Sequence, residues 1–421
     1  MNRVVITGMG IWSCIGQDLQ TVTENLKQGR SGIIFDPQRI EYGLHSGLTG
    51  NVPRPNLKPL LPRKYRATMS EDAEYAYMAA RQAFEQAGIE EAYLRENEVG
   101  IIFGNDGNVH IHEYLKIMEE EKESLMLGPN AVFQSSTSSP SMNLSTIFHL
   151  TGVNMCVAAA CASSSHAIGL ATMYIRQGMQ DMILVGGSCT MDMRAAAGVD
   201  AIEAISLRND DPTHASRPFD RDRDGMIPSG GAAALVLEEY EHAVARGATI
   251  LAEVCGYGFS SNGTEDVSMP SADAEYIAMQ RALADANVQP ADIDYVNTHG
   301  TSTPVGDIEE AKALTRLFSG TKMPFVSSTK SMTGHENTMA GASEAVYSIL
   351  MMQHNFVAPN INLQNKIDEA RDLNIVTETV YTPIHIVLSN SSGMGGTNSA
   401  LVLRAVSSQR SAVSSQRSAK N

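Results

Sequence analysis

The 421-residue sequence predicts an α/β fold, with helices packed on both faces of mixed or parallel sheets. Two observations carry this. Short, nearly continuous apolar runs rich in β-branched residues recur along the chain, and stretches of helical spacing separate them. In the first half Val4–Ile6, Val99–Phe103, Ile183–Val185 and Ala232–Leu237 read as buried strands. Leu19, Val22 and Leu26 recur at helical spacing, with Gly29 placed as a C-terminal cap. Ala76, Ala79, Ala80, Ala83, Phe84 and Ala87 form a second apolar stripe, stopped by Gly88.

The second half repeats this grammar. Ile250–Val254, Tyr295–Asn297 and Phe325–Ser327 read as strands, with helices expected over Ala274–Ala286, Ile308–Leu317 and Gly341–Met352. A strand–loop–strand return closes the chain: Ile384–Leu388, the loop SNSSGMGGTN, then Ala400–Leu403. The passage VNMCVAAACASSSHAIGLA resembles PFVSSTKSMTGHENTMAGASEA in layout though not in sequence, an internal echo. These features divide the chain into residues 1–250, residues 251–405, and a small polar tail, 406–421, that nearly duplicates SSQRSA. The tail has little apolar area to bury and is expected to be disordered.

The totals restrict the function. A formal net charge of −16 argues against nucleic acid or an anionic membrane as partner. No run approaches the ~18 apolar residues of a membrane span, and the N-terminus MNRVVITGMG lacks a signal-peptide pattern, so a cytoplasmic location is expected. The 5 cysteines form no CxxC pair and no Cys/His metal ladder, and read as free thiols of which one is a candidate nucleophile. No metal is expected.

Cys161 lies where an apolar strand gives way to small residues and then to a long helix. A thiol at a helix N-terminus faces unpaired N–H groups and the positive end of the macrodipole, which predicts a lowered pKa. The bland alternative is a small buried core cysteine. Two histidines favour the chemical reading. His299, in YVNTHGTSTPVGD, and His335, in SSTKSMTGHENTMAG, each follow a strand and sit among small residues, where α/β folds build their sites. Lys330 adds a cation five residues before His335.

Together, ACASS, NTHGTSTPVGD, STKSMTGH and the terminal GGTN resemble the elongating β-ketoacyl-carrier-protein synthases. The resemblance runs from RVVITGMG to ALVL near residue 403, and takes in RPFDRDRDG (Arg217–Gly225) and NIVTE. It implies a thiolase-like fold, two similar α/β halves in a five-layer sandwich. It implies a homodimer, or a heterodimer with a related ketosynthase-like subunit, served by an acyl carrier protein. No cofactor is implied, since the 4′-phosphopantetheine arrives on the carrier.

The resemblance also implies roles. Cys161 carries the acyl group, and His299 and His335 promote loss of carbon dioxide from a malonyl group. Lys330 and Glu344 support the histidines. The backbone N–H groups of Cys161 and Ser392 hold the oxyanion, and Thr301 and Thr303 bond the pantetheine arm. Gly107 lies near the chain-length floor.

Departures from the pattern are specific. Where the family carries SFGFGGTN, this chain reads NSSGMGGTN, with Ser392 and Met394 in place of two phenylalanines. Loss of that aromatic gate implies tolerance of bulky or unsaturated chains, as in polyketide or aryl polyene assembly. Glu336 and Asn337 follow His335 where small apolar residues are usual, and are expected either to alter the approach of the malonyl group or to serve a partner subunit.

Arg63, Lys64 and Arg66 form a basic cluster in an acidic chain. They read as solvated surface or as a dock for an acidic carrier protein. Glu119–Glu123 reads as a solvated helix face, His166 and Cys156 as packing, and Arg217–Asp224 as a charge-paired loop. Two other functions remain as alternatives. A coenzyme A-dependent thiolase needs a second cysteine in the terminal loop, which has none. A chain-length-factor-like partner subunit lacks the nucleophile that Cys161 supplies.

Overall fold

The computed structural model describes residues 1–107 and 110–406. The tail from residue 407 therefore lies outside the described residues. Ten strands form one sheet: β1 (Val4–Trp12), β2 (Gly100–Gly104), β3 (Asn154–Val157), β4 (Met182–Cys189), β5 (Gly231–Glu239), β6 (Ala252–Ser261), β7 (Tyr295–Asn297), β8 (Phe325–Ser327), β9 (Ile386–Gly393) and β10 (Thr397–Arg404). Their order is β8-β7-β9-β10-β6-β1-β5-β4-β2-β3. Outward from the β1–β6 junction, each half runs antiparallel, antiparallel, parallel, parallel. The two halves are thus topological copies, joined where Val5 pairs with Glu253 and Ile6 with Ala252.

The helices make the layers. These are α1 (Leu19–Gln28), α2 (Glu71–Gln86), α3 (Ser139–Phe148), α4 (Ser163–Arg176), α5 (Ala272–Asp285), α6 (Gly306–Leu317) and α7 (Ala340–His354). Strand residues alternate between two cores, which is why the runs are continuously apolar. Ile183 and Val185 join Ile168 of α4 and Val346 of α7 in a central core that also takes Leu401 and Leu403 from the second half. Leu184 and Val236 face α2 in an outer core, and Leu388 and Val402 face α5 and α6 in another. The result is five layers: helix, one half of the sheet, helix, the other half of the sheet, helix.

Two glycine pairs show how closely the outer helices sit. A Cβ on Gly8 or Gly10 would meet Ala83 O or Ala79 O of α2 at 2.1 Å. On Gly256 or Gly258 it would meet Ala282 O or Ala278 O of α5 at 2.3 or 2.1 Å. The repeat is therefore also one of packing.

Most expected elements stand within a few residues of their reading, and β7 and β8 fall on it. Gly29 caps α1 at φ 62 as expected, and Asp18 caps its start by accepting from the Thr21 N–H. The terminal return differs. SNSSGMGGTN is not a long loop, because Ser389–Gly393 continue β9 and Thr397 already begins β10. Ser391 pairs with Ser399 and Ser392 with Asn398, leaving Met394–Gly396 as the turn. Gly395 and Gly396 at φ 90 and 87 supply the left-handed backbone it requires.

Candidate active site

β3 delivers the chain into a tight turn, Ala160–Ala162, that opens α4. Ala160 holds φ 46, a left-handed conformation that costs about 1 kcal/mol without glycine. Local bonds hold it there: the Ala160 N–H donates to Asp106 Oδ2 at 3.2 Å, and Ser163 Oγ donates to Ala160 O at 2.6 Å. The turn places Cys161 at a cavity of about 700 Å³.

The other half brings its two histidines to the same place. His335 Nε2 lies 2.9 Å from Cys161 Sγ. The His299 and His335 rings meet edge to face, 5.2 Å between centroids. One ligand atom from each of the three residues lies within 4.8 Å of the others. All three line the cavity, as do Thr301, Thr303, Gly107, Ser392 and Met394. The Thr301 and Thr303 hydroxyls are 3.1 Å apart.

Each histidine is held by backbone. The His335 N–H donates to Ile227 O at 2.7 Å, and its carbonyl accepts from the Ser229 N–H at 2.9 Å. Glu310 of α6 accepts from the N–H groups of His299 at 2.6 Å and Gly300 at 2.7 Å, and from Asn390 Nδ2 at 2.7 Å. Arg223 Nε donates to Thr303 O at 2.9 Å and lies 3.4 Å from Asp307, so the basic–acidic loop clamps the threonine segment. Lys330 and Glu344 form a buried ion pair, each 1% exposed.

The electrostatics follow from burial. Burial, then the Lys330 charge, pushes His335 down to about 3. Burial, Lys330 and His335 together hold His299 well below the ordinary imidazole range. Both rings are neutral at neutral pH, and both buried Nδ1 atoms lack a hydrogen-bond partner. Burial also pushes Glu344 up to about 8, against the pull of Lys330.

Three expectations need correction. The Cys161 thiol is not lowered. Burial raises it, and a backbone hydrogen bond from Met394 and the Lys330 charge only oppose that rise. The backbone beside the sulfur belongs to Met394, at the hairpin turn. Ser392 instead lies within β9, where its hydroxyl donates to Glu275 Oε1 at 3.0 Å. No phenyl ring stands at the gate position, where the buried Glu275 carboxyl reaches across to Ser392 instead. Asn337 lines the cavity, whereas Glu336 does not. It is 1% exposed and accepts from Ser343 at 2.6 Å and Tyr347 at 2.8 Å.

Other readings meet the structure as follows. Arg63 and Lys64 are exposed on a short helix away from the cavity lining, and Arg66 Nε donates to Leu61 O at 3.0 Å. Among the described residues none of the three has an ion-pair partner. His166 packs between the Tyr257 hydroxyl at 2.6 Å and Thr397 Oγ1 at 2.8 Å. Glu310, Glu275 and Asn390 were not singled out from sequence. A carboxylate whose partners are backbone N–H groups leaves no motif.

Comparison with known proteins agrees with this geometry. The model of the β-ketoacyl synthase N-terminal domain matches residues 1–243, and that of the C-terminal domain residues 251–364. The chain is 42% identical over 408 residues to the 3-oxoacyl-[acyl-carrier-protein] synthase 1 of Escherichia coli (strain K12), covering 96% of this chain and 99% of that protein. A β-ketoacyl synthase crystal structure from Burkholderia phymatum superposes with a TM-score of 0.92 at 36% identity, over 97% of this chain and 100% of that one. The ishigamide ketosynthase/chain length factor gives 0.89 at 30% identity, over 96% and 100%. With a Cys–His–His cluster joining two topologically equivalent halves, and family models matched across most of both, the chain belongs to the β-ketoacyl synthase family.

Proposed function

We propose that this chain is an elongating β-ketoacyl-carrier-protein synthase, an acyltransferase that condenses malonyl-carrier protein with an acyl chain held on Cys161. The observation that carries it is the Cys161–His335 contact of 2.9 Å beside a second neutral histidine. In the first half-reaction Cys161 attacks the acyl thioester, and the carrier thiol leaves with the proton. In the second, the malonyl carboxylate leaves as carbon dioxide and its bonding electrons form an enolate. The N–H groups of His299 and His335 stabilise that oxygen, as preorganised neutral donors do in a water-poor site. The enolate carbon attacks the Cys161 thioester, and the sulfur leaves and takes up a proton.

On this reading the backbone N–H groups of Cys161 and Met394 hold the tetrahedral oxyanion. Lys330 and Glu344 fix the histidine surroundings, and Thr301 and Thr303 bond the pantetheine arm, so no resident cofactor is needed. Residues 1–250 supply the nucleophile and residues 251–405 both histidines. Arg63, Lys64 and Arg66 offer an acidic carrier protein a cationic dock.

The assembly is a dimer, with a second copy or a related ketosynthase-like subunit. The edge strand β3 and the exposed Val132 and Phe133 support this. Ser392 and Met394 favour a second reading of the pathway, polyketide or polyene elongation rather than fatty acid synthesis alone. Mass measurement of the acylated Cys161 peptide, followed by product analysis after adding malonyl-carrier protein, tests the reaction and the pathway together. Among the described residues no helix is long and apolar enough to cross a membrane.

A further inference from the structure

Behind one wall of the Cys161 cavity lies a second cavity of about 210 Å³. Cys189, Thr190 and Met191, where the chain leaves β4, line both spaces. These three residues therefore border both spaces. Arg39, from the short helix Pro37–Tyr42, lines the smaller cavity and is only 5% exposed. Its Nη2 donates to the Met191 carbonyl, while its buried Nε makes no hydrogen bond. Among the described residues the carboxylate that forms an ion pair with it is Asp36, at 4.0 Å, and Asp192 adds its charge from farther away.

A guanidinium carries five donors, and burying it costs several kcal/mol unless those donors are satisfied. Among the described residues the Arg39 Nε has no acceptor, and it stands at a polar cavity that adjoins the acyl cavity. We propose that the smaller cavity is a terminal subsite for acyl chains whose far end carries a neutral oxygen acceptor, a hydroxyl or a ketone. The chain end displaces the Met191 side chain and accepts a hydrogen bond from Arg39. Methionine suits this partition because it is unbranched and readily changes rotamer. The acceptor is neutral because Asp36, Glu71 and Asp192 line the same cavity and repel a further carboxylate. The inference rests on the ketosynthase reading.

The test uses the full-length protein and acyl carrier protein loaded with chains of equal length ending in methyl, hydroxyl or carboxylate. Acylation of Cys161 is followed by intact mass. The hydroxyl-ended chain should react about tenfold faster than the methyl-ended one, the size of one charge-assisted hydrogen bond. Arg39→Met should bring that ratio to about one. Met191→Ala, with Arg39 retained, should lengthen the longest hydroxyl-ended chain accepted, and this result stands even if Arg39→Met does not fold. Equal rates for hydroxyl and methyl ends in the parent overturn the proposal, as does faster reaction of the carboxylate-ended chain or a ratio unmoved by Arg39→Met. A short saturated chain that stops before Met191 is the control. Its failure to acylate Cys161 would count against the ketosynthase reading and not against the subsite.

Discussion

His335 Nε2 stands 2.9 Å from Cys161 Sγ, although 174 positions separate the two residues in the chain. Burial pushes the thiol up and the imidazole down, so both partners rest neutral. This sets the pH behaviour. A histidine protonating near its ordinary 6.5 would turn from a neutral donor into a charged one below that pH, and the rate would change across it. With His335 down to about 3, decarboxylation of malonyl-carrier protein should stay level from pH 8 to about 5. Rates across that range check it, and an acid limb centred near 6.5 would show that the imidazole titrates normally.

Glu310 is expected to be a positioning residue. It ties down the His299 and Gly300 N–H groups and is 2% exposed. Glu310→Ala should cost roughly 1–3 kcal/mol of barrier in condensation, the penalty for orphaning buried donors. Glu310→Gln keeps one acceptor oxygen and should recover part of it. Acylation of Cys161 in both variants separates the two half-reactions, and equal loss in both would refute a role confined to His299.

The Lys330–Glu344 pair should be asymmetric in stability. Glu344→Ala strands a buried ammonium, a loss of about 3–5 kcal/mol for an uncompensated charge. Lys330→Met leaves a carboxyl already pushed up to about 8, which takes a proton, so the cost should be smaller. Denaturant midpoints of both variants and of the double variant decide this, with the double variant expected above Glu344→Ala.

At the hairpin, Ser392→Phe alone would break the bond to Glu275, whose second oxygen is already buried without a partner. The informative variant is Ser392→Phe with Glu275→Ala, which supplies a phenyl gate and removes the carboxyl it would strand. The parent should accept unsaturated and aryl-capped chains within about threefold of saturated ones, and the double variant should disfavour the bulky chains by about tenfold or more. Acylation rates over such a panel measure it. A parent already selective for saturated chains and unchanged by the substitutions would remove the polyene reading.

The strands of this fold were legible because burial on both faces forces continuous apolar runs, as at Ile183–Val185. The same logic hid the end of β9. Ser391 and Ser392 are polar although they lie in a strand, where Ser392 lines the cavity, and their composition reads as loop. Cys161, His299 and His335 were legible from small residues at strand ends. Which N–H faces the sulfur was not, since Ser392 and Met394 differ only in where the hairpin turns. The raised thiol pKa was missed for a related reason: the helix start is visible in sequence, whereas the depth of the cavity depends on the other half of the chain.

The central claim is that Cys161 carries the acyl chain and hands it to the malonyl carbon under the two histidines. Intact-mass analysis of the parent and of Cys161→Ala, His299→Ala and His335→Ala, before and after adding malonyl-carrier protein, tests it most directly. The parent should gain one acyl mass on the Cys161 peptide and lose it as β-ketoacyl-carrier protein appears. Cys161→Ala should gain none. Each histidine variant should acylate yet turn over more slowly, by about 2–4 kcal/mol of barrier, the range for one lost oxyanion donor. Normal acyl loading in Cys161→Ala, or parent-rate decarboxylation in both histidine variants, would contradict the account.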